Sequence, residues 1–176
     1  MNGKRKSQGL EPFKPIFGCE MYVARRGMHL KDAAQGDRGG WHLIVLAKNM
    51  TGYKNLIKLV SNSWVDGFYY GRPRTDHEQL EKYHEGLIIC SACIAGEIPS
   101  KILKDDIDGA RKSIEWHKKL WGDDFYLELQ RHEVKNPHQR ANRETFPLQQ
   151  RANKVIIELA REYGVKLVCT NDSHFV

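Results

Sequence analysis

A chain of 176 residues, 40% of them hydrophobic, is long enough to bury a core of its own and fits one ordinary domain. A formal net charge of +6 favours an anionic partner such as nucleic acid, although a long-range field alone identifies no ligand. The four cysteines, Cys19, Cys90, Cys93 and Cys169, lie in or beside apolar stretches, which argues against a secreted disulfide framework. The longest apolar run, around Leu87 to Ala95, is too short to span a bilayer, and no hydrophobic segment follows the basic start, so a soluble cytoplasmic protein is expected.

Residues 1–12 are polar and basic without apolar periodicity and read as an edge to a domain occupying 13–176. The first strand is expected over Pro15 to Val23, followed by an Arg-, Gly- and Asp-rich surface loop from Ala24 to Gly40. The run His42 to Lys48 lacks polar alternation and suits a strand covered on both faces. Tyr53, Leu56, Ile57, Val60 and Trp64 recur at helical spacing, with Thr51 placed to cap the helix. Phe68 to Thr75 (FYYGRPRT) breaks that helix. A short helix near Asp76 to Tyr83 then leads to a strand at Gly86 to Cys90 and a small-residue turn, Ser91 to Gly96.

Helical patterns over Ile98 to Leu103 and Ile107 to Trp121 precede a strand at Phe125 to Gln130 and a polar loop, Arg131 to Thr145. The clearest helix is Pro147 to Tyr163, with Pro147 suited to its first turn and Gly164 to a left-handed C-cap. A last strand covers Val165 to Thr170. This alternation implies an α/β fold with a parallel sheet or barrel and helices outside.

In such folds functional groups gather beyond the carboxyl ends of the strands. The final strand runs into Asp172-Ser173-His174, where alternate residues of an extended chain direct a carboxylate and an imidazole to one point. Glu20 sits inside an apolar strand, and burying a carboxylate costs several kcal/mol, so it needs a cation or an ion pair with an arginine such as Arg25. His42 opens a strand, as a ligand or as a satisfied edge residue. Cys90 reads as buried and structural, whereas Cys93, in the loop after its strand, is better placed to be a ligand. His132 follows a strand directly and is a second-rank candidate. His29, His77, His84, His117 and His138 fall in polar segments and read as surface. Lys4-Arg5-Lys6, Arg25-Arg26 and Arg72/Arg74 offer either phosphate contacts or solvated charge. Together the carboxylates, imidazoles and thiol suggest a mixed-ligand site for Zn, Mn or Fe of the kind used in phosphoester hydrolysis.

At these residues the chain resembles the PHP (polymerase and histidinol phosphatase) domain of the bacterial DNA polymerase III α subunit. The likeness rests on KPIFGCEMYVA (14–24), HLIVLAKNMTGYKNLIKLVS (42–61), GFYYGRPR (67–74), EGLIICSACIAGEIP (85–99), FYLELQRH (125–132) and TNDSHF (170–175). It implies a distorted (β/α)7 PHP barrel with a metal cluster at the carboxyl ends of its strands. Glu20, His42, Cys93, Asp172 and His174 match metal-site positions of that family. The implied parent is a replicative DNA polymerase that uses Mg for synthesis, acts on DNA and works with other replicase subunits, among them a proofreading exonuclease.

The His-x-His strand and Thr-Asp-His turn with which the family opens are not present in this chain. The expectation is therefore a barrel truncated at its N-terminal strands, without the polymerase modules and with little or no activity by itself. The domain in the parent is then either a metal-dependent 3′–5′ exonuclease-type site or a non-catalytic module that stabilises the polymerase and docks the exonuclease subunit. A free-standing PHP phosphatase is a third possibility.

Overall fold

The structure is a computed structural model that describes residues 2–173. A short exposed helix, α1 (Asn2–Ser7), buries no residue and leads through extended chain to strand β1 (Gly18–Val23). The strand begins three residues later than Pro15, which has no N–H to give to a ladder. Strand β2 (Trp41–Ala47) follows the long loop, and helix α2 (Met50–Val65) packs back on the sheet. Its cap is Asn49 rather than Thr51: the Asn49 carboxamide oxygen accepts from the Gly52 N–H at 2.9 Å.

The FYYGRPRT segment holds a tight turn and a two-residue strand, β3 (Arg74–Thr75), that sequence periodicity could not reveal. Helix α3 (His77–Lys82), strand β4 (Leu87–Cys90), helices α4 (Glu97–Leu103) and α5 (Ile107–Trp121), and strand β5 (Phe125–Gln130) come next. The expected polar loop after β5 ends in one π-helical turn, Ala141–Thr145, that runs into helix α6 (Phe146–Tyr163). Gly164 takes the left-handed C-cap conformation, φ 59°, before strand β6 (Lys166–Thr170).

The fold is mixed α/β around one six-stranded sheet of order β3-β1-β2-β4-β5-β6. The pairs β1–β3, β4–β5 and β5–β6 are parallel, but β2 is antiparallel to both of its neighbours, β1 and β4. The expectation of an all-parallel sheet is corrected at that strand. Among the described residues β3 and β6 are the sheet edges.

Alternation along the strands sends Met21, Val23, Leu43, Val45, Leu87, Ile89, Phe125 and Leu127 to the face covered by the helices, where they join Leu56, Leu59, Ile98, Ile114 and Ile156. The opposite face carries Glu20, Tyr22, His42, Ile44 and Glu128. In β2 only Leu43 and Val45 are buried, so among the described residues that strand is covered on one face rather than two.

Arg74 is fully buried and organises the loop before β2. Its guanidinium donates to the carbonyls of Gly67 (3.1 Å), Asp37 (2.8 Å), Met28 (2.9 Å) and Leu30 (3.2 Å). Arg26 is likewise committed, to the Asp37 carboxylate at 2.5 Å. These two of the basic residues are structural rather than free for phosphate. His117, which reads as surface from sequence, is instead buried on α5 at 2% exposure, against Trp116, Trp121 and Phe125. No helix among the described residues is long and apolar enough to cross a membrane.

Candidate metal centre

Three of the five residues singled out as ligands meet at one point. Glu20 from β1, His42 from the start of β2 and Cys93 from the turn after β4 each offer a ligand atom, and these atoms lie within 4.8 Å of one another. The His42 Nδ1 is 2.6 Å from the Glu20 carboxylate and 3.5 Å from the Cys93 Sγ. The antiparallel course of β2 explains the position of His42: the beginning of that strand lies beside the carboxyl ends of β1 and β4. Glu20 is exposed rather than buried as its apolar neighbours suggest, because it points to the open face of the sheet; it pairs with an imidazole, and Arg25 lies over the Trp41 ring instead, 6.0 Å from its centroid.

The turn that carries Cys93 is tightly shaped. Ala92 holds a positive φ of 61°, and Gly96 approaches so closely that a Cβ there would come within 2.1 Å of the Ser91 carbonyl oxygen. Burial pushes the Cys93 thiol pKa up, and the Asp172 and Glu20 carboxylates push it further. Cys90, by contrast, is 8% exposed, with its pKa raised to about 12 by burial and then by Glu128. Cys90 is a free, buried cysteine, as its place in the apolar strand leads one to expect.

An open cleft of about 350 Å³ continues from Glu20 past Ile44 and is lined by Glu128, Gln130, Thr170 and Asp172. Glu128 was not among the candidates, yet its side chain joins three chain segments. It is 4% exposed; it accepts from the Ala92 N–H at 2.5 Å and from the Thr170 hydroxyl at 2.7 Å. Burial raises its pKa, with further contributions from Asp172 and Glu20, against the opposing hydrogen bonds from Thr170 and Ala92. The available signal was the one used for Glu20, an acid between apolar neighbours, here Leu127 and Leu129.

Gln130 donates to the Thr170 Oγ1 at 3.2 Å, while its buried Oε1 has no hydrogen-bond partner among the described residues. Asp172 follows β6 with φ 51° and faces the same cleft. Both ring nitrogens of His132 are engaged, Nε2 with the Asn171 carbonyl at 2.9 Å and Nδ1 with the Gln149 side chain at 3.0 Å, so His132 steadies the chain beside Asp172. His174 lies outside the described residues.

The donor set suits a divalent metal of borderline softness. Carboxylate oxygen, imidazole nitrogen and thiol sulfur from three separate elements converge, with two further carboxylates in the same cleft.

The PHP domain family model matches residues 2–132, most of the chain and all three converging residues. This chain belongs to the PHP domain family. The PHP domain is also 48% identical over 163 residues to the DNA polymerase III subunit alpha of Borreliella burgdorferi, covering 93% of this chain and 13% of that protein. The same-named subunit of Thermus aquaticus is 40% identical over 164 residues, with 93% and 12% covered, and that of Deinococcus radiodurans 35% over 173 residues, with 97% and 12% covered. The chain thus spans about an eighth of the length of the curated relatives it matches.

Proposed function

We propose that this PHP domain is part of a DNA polymerase III α subunit and that Glu20, His42, Cys93, Asp172 and His174 hold divalent metal for phosphoester hydrolysis of the 3′–5′ exonuclease type. The observation that carries the reading is the convergence of Glu20, His42 and Cys93, separated by 22 and 51 positions in sequence, within 4.8 Å. Similarity to three polymerase subunits over nearly the whole chain supports the parent and its DNA substrate. The domain unit is residues 13–176, and its setting is cytoplasmic, with replicase subunits as partners and Mg as the polymerase metal.

Zn, Mn or Fe bound here would supply Lewis acidity and an activated water. The protein side of the chemistry is positional. Glu20 and His42 hold each other in register across β1 and β2, and the 91–96 turn presents Cys93 to them. Glu128 ties that turn to β6, and His132 anchors Asn171 beside Asp172.

Cobalt titration tests the site directly. A thiolate-to-metal absorption band is expected with the native chain and is lost in Cys93→Ser, while Glu20→Ala and His42→Ala weaken binding. In the full-length parent, metal-dependent removal of nucleotides from single-stranded DNA is expected and is abolished by Asp172→Ala. A parent that binds no metal here, and whose nuclease activity ignores all four changes, would instead be using the domain for docking and stabilisation.

A further inference from the structure

We propose that Tyr22, Arg72, Arg38 and Tyr70 form a stacking track for single-stranded DNA that leads to the Glu20–His42–Cys93 group; the inference rests on the phosphoesterase reading and names where its substrate lies. The track begins at the site. Tyr22 stands opposite His42 in the β1–β2 ladder, with ring centroids 5.1 Å apart and planes nearly perpendicular at 87°. The Arg72 guanidinium lies over the Tyr22 ring at 5.0 Å from its centroid. Gly39 packs against Arg72 so closely that a Cβ there would sit 3.4 Å from Nη1. The next residue back, Arg38, lies over Tyr70 at 4.5 Å.

Three features distinguish this strip from ordinary surface charge. Arg26 and Arg74 are committed to a carboxylate and to carbonyls, whereas Arg38 and Arg72 are exposed and, among the described residues, make no ion pair. Their charge lies over aromatic rings and remains available to phosphate. Bases stack on such aromatic and guanidinium planes without regard to sequence, while the cations follow the backbone.

Tyr70 supplies the third feature. Residues 69–72 close a tight turn in which Tyr69 and Arg72 exchange backbone hydrogen bonds at 3.0 and 3.1 Å. Tyr70 and Gly71 at its centre have φ of 53° and 77°. Positive φ at both central positions is the type I′ pattern, which favours Asn or Gly in the place where this chain puts a tyrosine. A bulky side chain held in that strained conformation is 60% exposed at the tip, and its contacts there are the Tyr69 ring at 5.4 Å and the Arg38 guanidinium. The strain is explained by a ring kept outside for a ligand.

The test is binding of a fluorescein-labelled oligothymidylate to the full chain in EDTA, so that the metal group contributes nothing. Arg72→Ala and Tyr70→Gly should each weaken binding about tenfold, given the worth of one base stack or cation contact. Tyr70→Gly should do so without lowering thermal stability, which separates lost binding from lost folding. Lys58→Ala, removing a cation on α2 that lies over Tyr83, should leave affinity unchanged. Equal binding by native chain and both track variants overturns the proposal. So does equal weakening by Lys58→Ala, which would mean a diffuse field, or tighter binding of duplex than of single strand. Oligothymidylate binding lost in the track variants of a chain that takes up no cobalt would leave the track standing and remove the metal reading.

Discussion

Trp41 and His42 are neighbours in β2, and the two-residue repeat of a strand sends them to opposite faces and into two polar clusters built from the same residue types. On the helical face, Trp41 stacks on His77, and His77 bonds to the buried Glu97 at 2.9 Å. Glu97 also accepts from Lys101 and from the Ser113 hydroxyl, both at 2.7 Å, and His117 bonds to the Ser113 carbonyl at 2.7 Å. On the open face, His42 meets Glu20 and Cys93, with Glu128 and Asp172 beyond. The first cluster balances its carboxylate with a lysine and an imidazole, and the Glu97 pKa shows the result. Burial alone would raise it, but His77 and Lys101 hold it down at about 2. In the second, burial shifts Glu128 and Cys93 upward with no cation among the described residues to oppose it, and the neighbouring carboxylates Asp172 and Glu20 add to the shift. The same His–Glu contact thus has its countercharge supplied by the protein on one face and further carboxylates beside it on the other, the arrangement that suits a bound cation.

The largest expected effect breaks that comparison if it fails. Glu97→Ala removes the buried carboxylate that Lys101 and His77 share and should cost about 3 kcal/mol in urea unfolding, at the lower end for a severed buried pair because Lys101 is only partly buried and His77 is 40% exposed. Glu20→Ala, on the open face, should change stability little and lower cobalt affinity tenfold or more. A chain that loses stability equally from both changes would show the two clusters to be alike.

Acid dependence sharpens the same contrast. Burial depresses His117 from 6.5 to about 4, so between these values the unfolded chain takes up a proton that the folded chain refuses. Its contribution to stability is complete above pH 6.5 and is lost as the pH falls towards 4, roughly 3 kcal/mol in all. Glu97 behaves as a depressed acid: its contribution is present above about 4.5 and lost as the pH drops towards 2. Urea unfolding across this range should therefore steepen first through His117 and then through Glu97. His117→Phe should flatten the upper part of the profile and leave the lower part in place.

Much of the fold and part of the site are legible in the sequence, for identifiable reasons. The helices announce themselves by apolar spacing, and Glu20 by being an acid inside an apolar strand. Glu128 carries the same signal, but Tyr126 and Gln130 at alternate positions make its face of β5 look solvated. His117 was also within reach, since Ala110, Ile114, His117 and Trp121 fall on one helical stripe. Strand direction is different in kind. Periodicity shows which residues share a face and is blind to which way the strand runs, so the antiparallel course of β2, and with it the reason His42 stands at the site, required the structure. A two-residue strand such as β3 has no periodicity to detect.

Glu128 sets an intermediate test. Removing its carboxylate in Glu128→Ala leaves the Ala92 N–H buried without an acceptor, which should cost about 1–3 kcal/mol. Glu128→Gln keeps an acceptor and should recover most of that stability. If Glu128 positions the Cys93 turn, the two variants should also differ in the cobalt–thiolate band, weak in the alanine variant and restored in the glutamine one. Equal bands in both would reduce Glu128 to a structural tie between β5, β6 and the turn.

The smallest expected effect is at Tyr70. Left-handed backbone costs a residue with a side chain roughly 1–2 kcal/mol relative to glycine, and Tyr70 sits there with φ 53°. Against that gain, glycine gives the unfolded chain more freedom, worth about 0.5–1 kcal/mol, and the contacts with Arg38 and with the Tyr69 ring are lost. Tyr70→Gly should thus leave stability within about 0.5 kcal/mol of the native chain, one or two degrees in Tm for a chain of this size. Removal of an exposed aromatic residue without loss of stability indicates a side chain the fold does not need. If Tyr70→Gly destabilises instead, the ring is packing that the turn needs, and its strain ceases to argue for a ligand.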